Sequence, residues 1–405
     1  MNQISSDWIC CQIGAREHYA IPRALQHQEK LTYLITDAWV DPISPLRIIT
    51  KSGLKERFHP ALNQVQVHAF NISLIHFELT QKLQKHFGWE QIIARNKWFQ
   101  KQAVRKLIQL TPKFSNPPIL FCYSYAALEL FRFAKKQGWY TILGQIDPGL
   151  WEEKIVIQEV AKCPEYSGNW QPAPHKYWQD WQEECKLADR IVVNSNWSQQ
   201  LIKKSGVEPN KLQIIPLVYT PPEEAKNFTR TYPESFNHER PLRVLFLGQV
   251  ILRKGIASVL ESIKSLEGYP IEFWIVGSQQ IQIPPYFQSH PQIRWLGRIN
   301  RSETSHYYQS ADVFLFPTLS DGFGLTQLEA QAWQLPIIAS RNCGNVVTHG
   351  VNGWLLPKVN SDEILNAIIY CINNPQSLVK SAKNSQLSNE FSLENLAQNL
   401  FNIQI

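Results

Sequence analysis

The chain reads as an α/β protein of two parallel-sheet domains, and three observations point there. Its 405 residues are too many for one ordinary hydrophobic core. Short apolar runs alternate with helical patterns along most of its length, as parallel strands covered by helices on both faces require. A polar stretch at residues 220–241, with Pro221, Pro222, Pro233 and Pro241, interrupts the alternation and offers little that packs.

Residues 7–13 are apolar and rich in strand formers, followed by Gly14 and a helical stretch over 17–28. The next strand is expected at 31–36, with further strands at 65–72 and 118–123 and helices near 77–110 and 125–137. Residues 140–146 form a strand ending in Asp147-Pro-Gly149, a turn signal. A helix at 177–188, a strand at 189–195, a helix at 197–205 and a short strand at 211–216 complete the first half. A second α/β unit runs over 242–384. The tail 385–405 has a helical pattern in Leu393, Leu396 and Leu400.

Composition narrows the class. Hydrophobic content is 44% and no low-complexity run occurs. No apolar run approaches the ~20 residues that span a bilayer. The start, Met1-Asn-Gln-Ile-Ser-Ser-Asp7, lacks the basic and apolar regions of a signal peptide. Seven scattered cysteines without Cys-x-x-Cys spacing argue for reduced thiols in a cytoplasm and against structural zinc. The net charge of +6 suits anionic nucleotide substrates or a loose, peripheral membrane association. The basic residues read as spread along the chain, which argues against nucleic acid.

The most informative segment is Asp312-Val-Phe-Leu-Phe-Pro-Thr-Leu-Ser-Asp-Gly-Phe-Gly-Leu-Thr-Gln-Leu-Glu-Ala-Gln-Ala332. It reads as a buried strand, a glycine turn, and a helix starting near Gly324. Asp321 and Glu329 stand with seven residues between them. Gly322 and Gly324 let backbone approach a ligand closely. The first N–H groups of a helix favour an anion. A strand–turn–helix unit whose glycines serve only packing is the alternative, evenly weighted on this segment alone.

This segment resembles the E-x7-E motif of the retaining GT-B glycosyltransferases (group 1, family 4 type), Pro-Ser-x-x-Glu-Gly-Phe-Gly-Leu-x-x-Leu-Glu-Ala. Here the first acid is Asp321, one methylene shorter than Glu. Three further segments fall in the family's order. Val244-Leu-Phe-Leu-Gly-Gln-Val-Ile-Leu-Arg-Lys-Gly255 resembles its first donor-domain strand and phosphate loop. Phe273-Trp-Ile-Val-Gly-Ser278 resembles the second glycine-ended strand. Pro336 to Gly344, then Gly350 to Leu356, resembles the stretch closing the site. Four ordered motifs are more specific than any one.

The resemblance implies two Rossmann-like domains facing across a cleft. Residues 1–225 would form the acceptor-side domain and 226–241 the linker. Residues 242–384 would form the nucleotide-sugar domain, and 385–405 a helix crossing back. By the same resemblance Lys254 would neutralise a departing diphosphate, as a cation at such a site can, and Arg253 beside it is the candidate substitute for the family's second cation. Gln249 stands after Gly248 where the family has Arg. Glu329 would hold the ribose hydroxyls and Asp321 the transferred sugar. Phe323, Gly324 and Leu325 would offer backbone N–H groups, and Ser278 and Ile299 would border the nucleotide. A solvated lysine at 254 and a helix-surface acid at 329 are the plainer alternatives.

The acceptor side is less marked. Relatives carry a His after the strand at 140–146; here Gln145 and Asp147 are the polar candidates, and Asp147 also suits an ordinary turn. Arg16, Glu17 and His18 follow the first strand, where relatives have a loop facing the acceptor. The expectation is a cytoplasmic glycosyltransferase that takes a UDP- or GDP-linked sugar and a carbohydrate or lipid-linked acceptor. It would retain anomeric configuration and, with no Asp-x-Asp pair, need neither metal nor other cofactor. An inactive binding or scaffold protein, or a nucleotide-sugar isomerase, on the same fold are the rivals.

Overall fold

A computed structural model describes residues 7–44, 54 and 56–403. Seven parallel strands form the first sheet: β1 (Trp8–Gln12), β2 (Leu31–Thr36), β3 (Gln66–Ala69), β4 (Ile119–Tyr123), β5 (Tyr140–Gly144), β6 (Arg190–Val193) and β7 (Leu212–Ile214). Their order is β3-β2-β1-β4-β5-β6-β7, all neighbours parallel. The second sheet holds β8 (Leu242–Leu247), β9 (Ile271–Val276), β10 (Ile293–Gly297), β11 (Val313–Phe316), β12 (Ile337–Ala339) and β13 (Gly353–Leu355). Its order is β10-β9-β8-β11-β12-β13, again parallel throughout.

Strand periodicity builds the core. On β1, Ile9 and Cys11 enter one apolar cluster while Trp8 and Cys10 enter another on the opposite face. On β8, Val244 and Phe246 face one side and Leu245 the other. Side chains alternate at period two, so a strand covered on both faces reads as a continuous apolar run. Each sheet is therefore sandwiched between two clusters.

In both sheets the order reverses beside the first strand, between β1 and β4 and between β8 and β11. Loops leaving the carboxyl ends of those strands diverge and open a crevice, where doubly wound folds place ligands. The loops after β8 and β11 carry Lys254 and Asp321. Those after β1 and β4 carry Arg16–His18 and Tyr125.

Several local expectations are corrected. The stretch expected as one helix over 77–110 is two, Asn71–Leu83 and Trp89–Leu110. Lys85 (φ 53°) and Gly88 (φ 59°) break them apart, since positive φ cannot continue a right-handed helix. The helix expected from residue 17 starts at Ala20. Before it, Glu17, His18 and Tyr19 all have left-handed backbone, φ 50°, 55° and 60°.

The stretch 220–241 does pack. Arg230 is buried and donates to the carbonyls of Tyr308, Ala311, Trp333 and Gln334, and Phe236 enters the second domain's core. The polar, proline-rich composition concealed a single arginine whose five donors tie the segment down. The last helix, Leu393–Phe401, buries Leu396, Ala397 and Leu400 against Ile21, Ala24 and Leu25 of the first domain.

Candidate functional site

Lys254 sits at the end of the loop after β8, where Gly255 turns the chain at φ 76°. A Cβ at Gly255 would lie 2.0 Å from the Pro317 carbonyl oxygen, so the loop lies directly on the segment leaving β11. This close approach brings the Lys254 ammonium into contact with the Asp321 carboxylate. Both side chains are about 15% exposed, so water screens the pair weakly. Burial pushes the Asp321 carboxyl up, but Lys254 and Arg253 outweigh it and hold the carboxyl below the ordinary aspartate range. The Phe323 N–H also points at that carboxylate. The two residues expected to hold phosphate and sugar are thus one charge-coupled unit.

Arg253 has a different setting from Lys254. Its guanidinium donates to the Ser320 carbonyl at 2.9 Å, lies 3.8 Å from Asp321, and reaches Glu152 of the first domain at 3.5 Å. Glu152 also accepts from the Ser320 hydroxyl at 2.8 Å. It lies in the first turn of the helix Leu150–Lys162, after the Asp147-Pro-Gly turn. Burial pushes its carboxyl up to about 8, with Arg253 opposing and Asp147 and Asp321 reinforcing. Sequence reasoning passed over Glu152. An acid in a first helical turn has an ordinary explanation as a complement to the helix dipole, and its partner lies about a hundred residues away.

The two domains meet on the same turn. The Gly322 carbonyl accepts from the hydroxyls of Ser195 (2.6 Å) and Ser198 (3.1 Å), and Trp197 Nε1 donates to Ser320 (3.0 Å). A Cβ at Gly322 would lie 2.5 Å from the Ile146 carbonyl oxygen. This glycine admits the neighbouring domain's backbone. At Gly324 (φ 84°) the chain passes against the Phe316 ring. The helix then runs Thr326–Ala332, two residues later than expected. Leu325 precedes it as its N-terminal flank, and its carbonyl accepts from the Glu329 N–H.

Glu329 is not a surface acid. Its carboxylate accepts from the buried Tyr308 hydroxyl at 2.8 Å, and burial raises its pKa. Gly248, after β8, donates to the Val276 carbonyl, and Val250 donates to the Ser278 carbonyl. Gly248 and Ser278, both expected on the donor side, therefore lie on adjacent loops at the carboxyl end of the sheet. Gln249 is exposed. Ile299 lies after β10 and packs partly into the second domain's core.

On the side expected to meet the acceptor, Glu17 accepts from the Tyr123 hydroxyl at 3.2 Å, and burial lifts it to about 7. Arg16 lies over the Tyr123 ring. His18 reaches across the cleft to Arg301 of the second domain; burial and that cation lower it to about 4. The loop is anchored by the buried Asp37, which accepts from the Gly14 N–H (2.8 Å) and pairs with Arg95 (2.8 Å) and Arg57 (3.3 Å). Asp147 accepts from the Tyr125 hydroxyl, and Gln145 bridges Asp147 to Trp181 Nε1. A cavity of about 140 Å³ separates the two groups, lined by Arg16, Tyr123, Tyr125, Asp147 and Tyr177. Arg16 and Asp147 thus share a wall, whereas Gln145 is buried behind it and serves the network.

Residues 241–374 match the family described as Glycosyl transferases group 1. An uncharacterized glycosyltransferase of Methanocaldococcus jannaschii is 25% identical over 242 residues, 55% of this chain and 60% of that protein. The D-inositol 3-phosphate glycosyltransferase of Thermobifida fusca is 28% identical over 222 residues, 47% of this chain and 48% of its own. The chain spans 44 to 60% of the length of the first curated relatives it matches. Among solved structures, Anabaena HepE in complex with UDP superposes with a TM-score of 0.62 at 13% identity, covering 97% of this chain and 98% of that one. The catalytic domain of Arabidopsis thaliana starch synthase IV, bound to ADP and acarbose, gives 0.64 at 12% identity over 98% and 99%. The fold is therefore GT-B, two Rossmann-like domains facing across a cleft.

Proposed function

We propose that this chain transfers a sugar from a nucleoside diphosphate sugar to a carbohydrate or lipid-linked acceptor. The observation that carries the reading is the Lys254–Asp321 pair, with Arg253 beside it, at the switch-point crevice of a domain matching group 1 glycosyltransferases. A diphosphate leaving group gains negative charge as its bond to the sugar breaks. Cations already fixed at that place stabilise the transition state without reorganising. Lys254 and Arg253 supply them, and Asp321 holds Lys254 in position while keeping free acceptor capacity for sugar hydroxyls. Glu329, oriented by Tyr308, is assigned to the ribose.

On this reading transfer retains anomeric configuration. The acceptor oxygen bonds to the anomeric carbon on the face from which the diphosphate departs. The departing phosphate oxygen takes the acceptor's proton, so no protein base is consumed. The acceptor enters from the side of Arg16, Glu17, His18 and Asp147. Because HepE was solved with UDP and with UDP-glucose, a UDP-linked sugar is the first donor to try, with GDP as the comparison.

Calorimetric titration tests the donor half: UDP or GDP should bind at millimolar affinity or better. Absence of heat and of thermal stabilisation with both, at saturation, rules the reading out. The charge on Lys254 and Arg253 also predicts transfer that persists in excess chelator. Activity lost to EDTA and restored by Mn²⁺ or Mg²⁺ would reassign the diphosphate to a metal.

A further inference from the structure

The helix Asn71–Leu83 has two apolar faces, and only one is used. Its inner face packs on the helix Trp89–Leu110: Phe77 stacks on Trp98 at 5.2 Å, Trp98 Nε1 donates to Ser73 at 3.1 Å, and Leu74 is buried. The outer face carries Ile72, Leu79 and Leu83, 83%, 57% and 84% exposed. At about 100° per residue these three fall within a stripe roughly 40° wide. Phe87 continues it in the turn, 77% exposed. Bare apolar side chains scattered singly need no explanation, but a stripe of four is a docking signal.

Charge selects the occupant. Residues 71–110 hold seven Lys and Arg against two Glu, a net +5 of the chain's formal +6. This corrects the reading of the cations as evenly spread. Lys82 and Lys85 are exposed beside Leu83 and Phe87. Even with Arg95 neutralised by Asp37, a second copy would bring like charge against like charge and be repelled. The bare positions are aliphatic or Phe, without the Tyr, Trp and Arg that anchor protein interfaces. Among the described residues no helix is long and apolar enough to cross a membrane. An apolar helix face flanked by lysines instead suits the plane of an anionic bilayer, with aliphatic side chains below the headgroups and ammonium groups among the phosphates.

We infer that this helical hairpin docks the protein on the surface of an anionic lipid membrane, with Leu83 and Phe87 as its deepest contacts. The second helix of the hairpin also lines the cavity beside Arg16 and Asp147 through Ile92 and Asn96. Docking therefore brings the bilayer to the acceptor side. That consequence rests on the glycosyl-transfer reading; the docking test does not, because it needs neither donor nor activity.

The test is flotation of the full chain with vesicles of phosphatidylcholine alone or with 30 mol% phosphatidylglycerol. Wild type should float at least tenfold more with the anionic vesicles. Leu83→Glu/Phe87→Glu should lower that binding about tenfold with an unchanged melting temperature, as both sites are exposed. Lys82→Glu/Lys85→Glu should weaken binding and reduce its salt dependence. Wild type left unbound by anionic vesicles overturns the inference, and so does undiminished binding by Leu83→Glu/Phe87→Glu. Equal binding to neutral and anionic vesicles overturns the choice of an anionic surface. A loss of dimer on Leu83→Glu/Phe87→Glu, without a change in flotation, assigns the stripe to self-association and overturns the inference too.

Discussion

At the scale of single residues, the site turns on which interactions grow during the reaction. Lys254 faces a carboxylate whose charge is constant and, on the proposed function, a diphosphate whose charge increases. Its removal should lower kcat by about 10²–10³-fold, ~3–4 kcal/mol of transition-state stabilisation. It also leaves Asp321 without its main partner and raises that carboxyl toward the ordinary range. On the proposed function Glu329 would make the same ribose contacts before and during bond breaking, so Glu329→Gln should chiefly raise the donor KM and spare kcat. Steady-state kinetics of the two variants decides the matter. Near-normal kcat in Lys254→Ala would make it a structural partner of Asp321 and nothing more. Lys254, Asp321 and Glu329 were legible in the sequence because short motifs carry them. Glu152 and Tyr308 were not, since a through-space partner leaves no local mark.

At the scale of elements, the site is positioned by backbone contacts that exclude side chains. Gly255 combines a left-handed φ with a 2.0 Å approach of its would-be Cβ to Pro317 O. Gly255→Ala therefore adds conformational strain and a clash with rigid backbone, about 2–4 kcal/mol together. Urea unfolding should show that loss, and donor affinity should fall with it, because the loop carries Lys254. A variant as stable as wild type would mean the two loops separate easily. The parallel alternation of strands was legible because period-two and period-3.6 patterns are strong in buried α/β units. Helix ends near functional loops were not. Glu17 to Tyr19 take left-handed backbone that no local preference calls for, held there by contacts such as Tyr123 on Glu17. The stretch 220–241 looked like free linker because its prolines and polar residues masked a buried arginine, Arg230, and isolated apolar residues, Ala225 and Phe236, that dock on the second domain's core.

At the scale of the whole molecule, the domains meet around one guanidinium: the carboxyl groups of Glu152 in one domain and Asp321 in the other both lie against Arg253. A diphosphate seated by Arg253 and Lys254 would lie near Glu152, so the state of that carboxyl matters to donor binding. Its pKa, pushed up to about 8 by burial, leaves it neutral below that pH and anionic above. An anion beside the phosphate seat repels the donor, so UDP affinity should weaken as pH rises through about 8. Glu152→Gln keeps the shape and removes the titration; its affinity should lack that decline. The same shift has a definite sign in stability. Between about pH 5 and 8 the unfolded chain has lost the proton that the folded chain keeps, so folding stability falls as pH rises across that window and is level above it. Wild type should therefore lose melting temperature relative to Glu152→Gln between pH 5 and 8. Comparing wild type with the variant cancels the titration of the nucleotide's own phosphate. Calorimetry at pH 6.5 and 9 with thermal melts across the range measures both effects. Parallel pH dependences in the two proteins would mean that Glu152 is ionised throughout, its charge matched by Arg253, and that the domain junction carries no pH-sensitive control of the donor.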